Sequence, residues 1–451
     1  MREPVTLKIE DLAFDGKAVA HNDGKVVFLD AGLPGETVVA VVFKSRAKYD
    51  QARVLEITER SPARIDPPCQ HFDLCGGCTW QDLDYSEQLR FKKQQVVECI
   101  TRIGGFESPE VLDVLPAPDI YRYRNKMEFS FHVVEEENSF RLGLHRRGRF
   151  DDIFDVEGCY LQSEVANRIV ATVRDFVRRE QIPVYDVRHH NGYLRFLVIR
   201  QTFFTRQLMV NLVTNLGEFP QSDQLVAELR EAVPEITTIV HGKNGKKSNV
   251  AVAEEERILH GPGHMEEEIM GKRFRIRANS FFQTNSAQAE RLYRTAFDLL
   301  PSGKARRLLD LYCGTGTIGL LLASSVEEVV GVELVEDAVA MAAENARING
   351  IENISFYQGH VRDYLASLNA EELGRFDTVL IDPPRAGLHP KALKRILALP
   401  AERILYISCN PATFARDAQE LVRSGFTMSP VHPVDMFPHT RHIELVALFC
   451  R

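Results

Sequence analysis

Apolar and polar residues alternate over residues 1–60. VTLKIEDL, KAVAHN, KVVFLD, ETVVAVVFKS and YDQARVLEIT each read as a short strand with one inward face. Gly16, Gly24 and Gly32-Leu33-Pro34-Gly35 supply the turns. Five such strands in so short a stretch predict a small OB-like β-barrel. The period then changes. Tyr85 to Arg102 sets Leu89, Val96, Val97 and Ile100 on one side and basic residues on the other, which predicts an amphipathic helix. Between about residues 120 and 260, KMEFSFHVV, RLGLHRRGRF, YLRFLVIRQT, QLMVNLVTN and TTIVHGKN read as strands, interrupted by the helix SEVANRIVATVRDFVRRE. This is an α+β pattern.

From residue 306 strand and helix alternate cleanly. RRLLDLY, VEEVVGVE, ISFYQG, FDTVLIDPP and ILYIS are apolar runs suited to a buried parallel sheet. Helices are read at Ala287–Leu300, IGLLLASS, Ala338–Asn349 and Ala412–Arg423, and an apolar strand from Glu444 closes the chain. The chain is therefore read as α/β. It comprises a barrel at 1–60, an α+β middle domain at 61–270 and a Rossmann-like domain at 271–451. A helical segment at about 82–115 is placed to pack on the last domain.

Composition sets bounds. With 44% hydrophobic and 26% charged residues, the 451-residue chain is an ordinary globular protein of two or three domains. No run of about 18 apolar residues and no signal-peptide pattern occurs. The expectation is a cytoplasmic monomer with no membrane partner. A net charge of −8 argues against wholesale electrostatic binding of nucleic acid. Basic residues are nevertheless clustered: Lys44, Arg46, Lys48, Arg53, Arg60 and Arg64; Arg122, Arg124 and Lys126; Arg141, Arg146, Arg147 and Arg149. Such runs on an acidic chain point to a local phosphate-contacting face.

Eight irregularly spaced cysteines fit metal binding or catalysis better than a disulfide framework. Cys69, Cys75 and Cys78 fall within ten residues, two of them as CxxC around paired glycines. Thiolates in such a loop suit an iron–sulfur cluster or zinc, and spacing alone does not separate the two. A fourth ligand is required. Cys159 is the candidate, with Cys99 and His71 as competitors.

Other candidates lie at the carboxyl ends of predicted strands, where open α/β sheets do their chemistry. Cys313-Gly314-Thr315-Gly316-Thr317-Ile318-Gly319 follows a strand, opens a helix and matches GxGxxG, a nucleotide-type cofactor loop. Glu333 ends the second strand, where an acid suits ribose hydroxyls. Asp382 ends FDTVLI. Cys409 stands where ILYIS stops, because Asn410-Pro411 prevents continuation. Each has a bland alternative: a packed cysteine, a turn aspartate, or, for Glu444, a salt-bridged strand acid. NSFFQTN, before the helix at Ala287, is weak evidence by itself.

Six ordered stretches change those odds: NSFFQTN, DLYCGTGTIGL, VGVE, DPPRAG, YISCNPATFARD and DMFPHTRHIE. Together they resemble the RNA uracil-5-methyltransferase family. The N-terminal strands, notably DGKVVFLDAGLPGE, resemble a TRAM domain, an RNA-binding module. The resemblance implies a Rossmann-like methyltransferase domain that uses S-adenosyl-L-methionine. By matching position it makes Cys409 the nucleophile and Glu444 the general base. Gln283, Tyr312, Glu333 and Asp382 become cofactor contacts, with Thr317 where some members carry asparagine. His360 departs from the Asp or Asn usual near the adenine. Cys69, Cys75, Cys78 and Cys159 resemble the [4Fe–4S] ligands of the ribosomal-RNA branch. The bacterial tRNA-specific branch typically lacks cluster and TRAM module alike, so the resemblance favours 23S rRNA, with tRNA as runner-up substrate.

Overall fold

The computed structural model describes residues 3–14, 16–134, 139–149, 151–301 and 305–451. The first five strands, Val5–Leu12, Ala18–Asn22, Lys25–Leu29, Thr37–Ser45 and Tyr49–Glu59, close into a barrel. Alternation explains it: Leu7, Ile9, Ala20, Val27, Leu29, Val38, Ala40 and Ala52 all point inward and are almost wholly buried. Closure is made by a parallel pairing of Lys25–Leu29 with Tyr49–Glu59. The turn before the fourth strand needs glycine at position 32. Its φ is +107°, and a Cβ there would lie 2.2 Å from Ile9 Cδ1. Buried Glu36 fixes the chain as it leaves the barrel. It accepts from Arg64 Nε at 2.5 Å and Nη2 at 2.9 Å. Burial raises the Glu36 pKa, but the hydrogen bonds from Arg64 and Leu33 outweigh it and hold the carboxyl below its usual range.

Trp80, Leu83 and Phe91 extend the barrel core. Phe91 lies on the helix Tyr85–Arg102, which Asp84 caps by accepting from Ser86 N. One face of this helix meets the barrel. Gln94 donates to Asp11 Oδ2 at 3.0 Å, and Gln95 donates to the Leu12 and Ala13 carbonyls. Val96 and Ile100 instead join the core of the last domain, against helix Pro411–Arg423. Lys92 and Asp435 are fully buried and paired at 2.6 Å, and Tyr85 donates to the same aspartate at 3.0 Å.

The middle domain carries a seven-stranded sheet. Its order is Glu255–His260, Thr238–Lys243, Leu208–Thr214, Leu194–Gln201, Lys126–Val134, Ser139–His145 and Ile153–Asp155. Leu194–Gln201 and Leu208–Thr214 are buried almost end to end, which fits their continuous apolar runs. Helices Glu164–Glu180 and Ser222–Ala232 accompany it. The sequence reading assigns no element to Ser222–Ala232 or to Glu255–Arg277. The latter forms three strands despite its charge because EERILH runs along the sheet edge. The hairpin of His264–Ile269 and Lys272–Arg277 turns Met265, Ile269, Phe274 and Ile276 into the last domain's core. Its Arg275 and Arg277 grip Glu344 at 2.6 and 2.8 Å.

The last domain has an eight-stranded sheet. Ile354–Gln358, Val326–Glu333, Ala305–Leu311, Thr378–Ile381 and Arg403–Ser408 run parallel, and Glu444–Cys450 returns antiparallel beside the last of them. Strand order reverses between Ala305–Leu311 and Thr378–Ile381, which opens a crevice at their carboxyl ends. Helices Val361–Ser367, Ala370–Leu373 and Pro390–Leu397 are short and were not expected.

Candidate active site

The crevice gathers most of the expected residues. Cys409 follows the strand Arg403–Ser408, and Glu444 opens the strand beside it. Their register pairs Ser408 with Leu445, so the next step places Cys409 alongside Glu444. Asn410 holds the turn. Its side chain caps helix Pro411–Arg423 by accepting from Ala412 N at 3.0 Å and donates to Arg385 O at 2.9 Å. Pro411 occupies the first helical position, where its missing N–H costs nothing. Cys409 is therefore held half-buried at a sheet edge next to a helix N-terminus.

The electrostatics are acidic and dry. Burial, then the charges of Glu444 and Asp382, push the Cys409 thiol up to about 11, while Arg385 pulls it down. Glu444 is 6% exposed. Burial and Asp382 drive its pKa well above the carboxylate range, again against Arg385. Burial raises Asp382 to about 7. Burial and Asp382 raise Asp310 to about 8. Arg385 is the cation that biases both the thiol and Glu444 toward their ionised forms.

Tyr312, Glu333 and Thr317 surround the glycine loop. Tyr312 has φ +65°, a left-handed conformation costly for a non-glycine residue and common where a chain is bent for function. Its backbone N–H donates to Val332 O at 3.0 Å, tying the loop to the neighbouring strand. Glu333 accepts from Gly314 N at 3.0 Å and from Leu334 and Val335 N–H groups at 2.8 and 2.9 Å. Asp310 accepts from Gly319 N at 3.0 Å; a Cβ at Gly319 would stand 2.7 Å from that carboxyl oxygen. Thr317 begins the following helix and lies 3.4 Å from the Thr315 hydroxyl. Gln283 comes from NSFFQTN, and its side chain bonds the buried Tyr293.

Asp310, Tyr293 and Arg385 were not singled out from sequence. Asp310 is a lone acid inside an apolar strand, and that is a readable signal. Arg385 sits within DPPRAG. Tyr293 is an ordinary helix aromatic and gives no sign.

Cys69, Cys75, Cys78 and Cys159 line one separate cavity of about 680 Å³, with Arg124, Arg146, Arg149 and Thr284. Burial and the neighbouring thiols raise Cys75 to about 11 and Cys78 to about 12. His71 shares the cavity, but its Nε2 accepts from Glu157 N at 3.1 Å. Cys99 does not: it packs against the catalytic-domain core from helix Tyr85–Arg102. Among the described residues, no group of three or more His, Cys, Asp or Glu side chains is arranged to hold a metal ion. Nor, among them, is any helix long and apolar enough to cross a membrane.

Comparison with known proteins agrees with this layout. Residues 84–451 match the family described as tRNA (uracil-5-)-methyltransferase, and residues 2–55 match the TRAM domain. An uncharacterised RNA methyltransferase of Chlorobaculum tepidum is 41% identical over 99% of this chain and 96% of its own length. One from Caldanaerobacter subterraneus is 39% identical over 99% and 98%. The crystal structure of Pyrococcus abyssi tRNA (uracil-54, C5)-methyltransferase with S-adenosyl-L-homocysteine superposes with TM-score 0.79 at 31% identity, covering 98% of this chain and 99% of that one. The chain belongs to the RNA (uracil-5-)-methyltransferase family. It is an S-adenosylmethionine-dependent enzyme acting on RNA through a TRAM barrel and a methyltransferase domain.

Proposed function

We propose that the enzyme methylates carbon 5 of a specific uridine through a transient bond between Cys409 and the base. The observation that carries this is the sheet register that sets Cys409 against Glu444, with Asp382 and Arg385 around them. Carbon 5 of uracil is too weak a nucleophile to take a methyl group unaided. Cys409 gives up its proton, and its Sγ bonds to carbon 6, moving an electron pair into the ring as an enolate. S-adenosylmethionine supplies an electrophilic methyl group on a sulfonium centre, which carbon 5 takes. Glu444, as carboxylate, then removes the carbon 5 proton, and the carbon 6–Sγ bond breaks to return the thiolate. The methyl–sulfur bond of the donor breaks to leave S-adenosylhomocysteine and the thiolate recovers a proton, so over the cycle one methyl group is gained and one proton released. Arg385 favours the ionised form of both reacting groups, and the acidic crevice suits a cationic donor. Gln283, Tyr312, Glu333, Asp382 and Thr317 would hold that donor. Reaching a base inside folded RNA requires swinging it out, at about a few kcal/mol; binding of the RNA by the TRAM barrel offsets that.

Cys69, Cys75, Cys78 and Cys159 fit a [4Fe–4S] cluster. A single zinc, about 2.3 Å from each sulfur, needs its thiols drawn tightly together. A four-iron cluster takes one thiol per iron and keeps them farther apart. What supports the cluster reading is that all four thiols line one cavity of about 680 Å³. Bound there, the cluster would neutralise thiolates that burial otherwise disfavours and fix the loops carrying them; methyl transfer moves no net electrons.

The substrate we favour is 23S rRNA, on the pairing of barrel with four-cysteine loop. The Pyrococcus abyssi protein, a tRNA enzyme matched along its whole length, favours tRNA as the second reading. The enzyme is expected to act as a cytoplasmic monomer. Mapping 5-methyluridine in total RNA from cells with and without the gene tests both readings. Loss at a 23S position supports the first, and loss confined to tRNA replaces it with the second.

A further inference from the structure

The segment Arg122–Asn125 lies between the Cys159 loop and the NSFFQTN loop and bonds to both. On the thiol side, Arg122 and Arg124 backbone N–H groups donate to Tyr160 O at 2.9 Å and Leu161 O at 2.8 Å. Arg122 Nη1 also donates to Cys159 O and Gln162 O, each at 2.8 Å. On the other side, Asn125 N donates to Thr284 O at 2.8 Å. The Asn125 side-chain amide donates to Gln283 O at 2.9 Å and to Ser286 Oγ at 2.8 Å. An asparagine amide has two hydrogens, so both are used. Asn125 O in turn accepts from Gln201 N at 2.8 Å, which seats the residue on the middle sheet. Buried Arg200 from the same sheet donates to Ser280 O at the start of the loop. Thr284 lines the thiol cavity, while the Gln283 side chain bonds Tyr293 beside the crevice.

We propose that Asn125 is a positioning residue for the methyl donor. Its amide fixes the backbone of Gln283, so that the Gln283 side chain is already set when the donor arrives, and it does so from a segment pinned to the Cys159 loop. The inference rests on the reading of Gln283 as a donor contact. An unfixed loop must order itself on binding and lowers affinity by that cost. The step lost is binding, not chemistry, so the defect belongs in donor affinity.

Calorimetric titration of the full-length, RNA-free protein with S-adenosylhomocysteine tests it. Asn125→Asp keeps the shape but turns the amide donors into acceptors. The expected result is a Kd raised about tenfold, the loss attached to about one hydrogen bond, with the melting temperature lowered by no more than about a few degrees. KM for the donor rises in step, and kcat at saturating donor stays within about twofold. Asn125→Ser is read in its place if the aspartate variant does not fold. Gln283→Ala is titrated alongside. Wild-type affinity in the Asn125 variants with a loss in Gln283→Ala overturns the positioning role alone. Wild-type affinity in Gln283→Ala overturns the reading of Gln283 beneath it. A fall in kcat with KM unchanged also overturns the proposal.

Discussion

Two settings of cysteine in the molecule contrast. Cys409 stands alone at the edge of a rigid sheet, among carboxyl groups and one arginine. Cys69, Cys75, Cys78 and Cys159 stand on loops around a shared cavity, and the thiols raise one another. Burial pushes Cys409 and Cys75 alike up to about 11. The same desolvation therefore has two different remedies. On the proposed mechanism, the nearby Arg385 charge and an incoming ring would favour the Cys409 thiolate briefly. In the loop cavity, the proposed cluster would favour four thiolates at once.

The sharpest break between the two comes from removing the groups themselves. Cys409→Ala should abolish methylation without changing melting temperature or metal content. Glu444→Gln should instead leave RNA bonded to the protein, visible as a shifted band on a denaturing gel. Full turnover by either variant would sink the proposed mechanism. Next in size is the metal. Protein purified without oxygen should carry about four irons, and Cys75→Ser should lose the visible absorbance while Cys409→Ala keeps it. Stoichiometric zinc in a colourless protein would replace the cluster. The smallest effect is a pH dependence. With its thiol at about 11, Cys409 is protonated at neutral pH, and only the thiolate reacts. Its alkylation by iodoacetamide, followed by mass spectrometry, should speed up about tenfold per pH unit between pH 7 and 9. Arg385→Ala removes the cation that lowers the pKa and should slow alkylation. Asp382→Asn removes a charge that raises it and should accelerate the reaction. A rate flat across that range would mean the thiol is already ionised.

Local order was easy to read and juxtaposition was not. Tyr85–Arg102 shows its full extent because an apolar stripe, an aspartate cap and a turn after Arg102 agree. The strand from Glu444 was equally plain. That Glu444 lies beside Cys409 depends on an antiparallel return across the sheet, which no local pattern encodes. The Asp310–Asp382 coupling is hidden for the same reason. In the middle domain, Glu255–His260 carries its charges outward on an edge strand, so the apolar alternation that marks other strands is lost. The thiol cavity was partly legible: three of its cysteines are neighbours in sequence. The fourth arrives on the 159–162 loop, which Arg122, Arg124 and Asn167 bond.

The helix Tyr85–Arg102 touches the barrel with one face and the helix that starts just after Cys409 with the other. At 18 residues it is about 27 Å long. It ties the barrel to the helix that follows Cys409. On the proposed function, a nucleotide strand seated on the barrel would meet the sulfur at a distance this helix sets, and the enzyme would select its target by span as well as by ring.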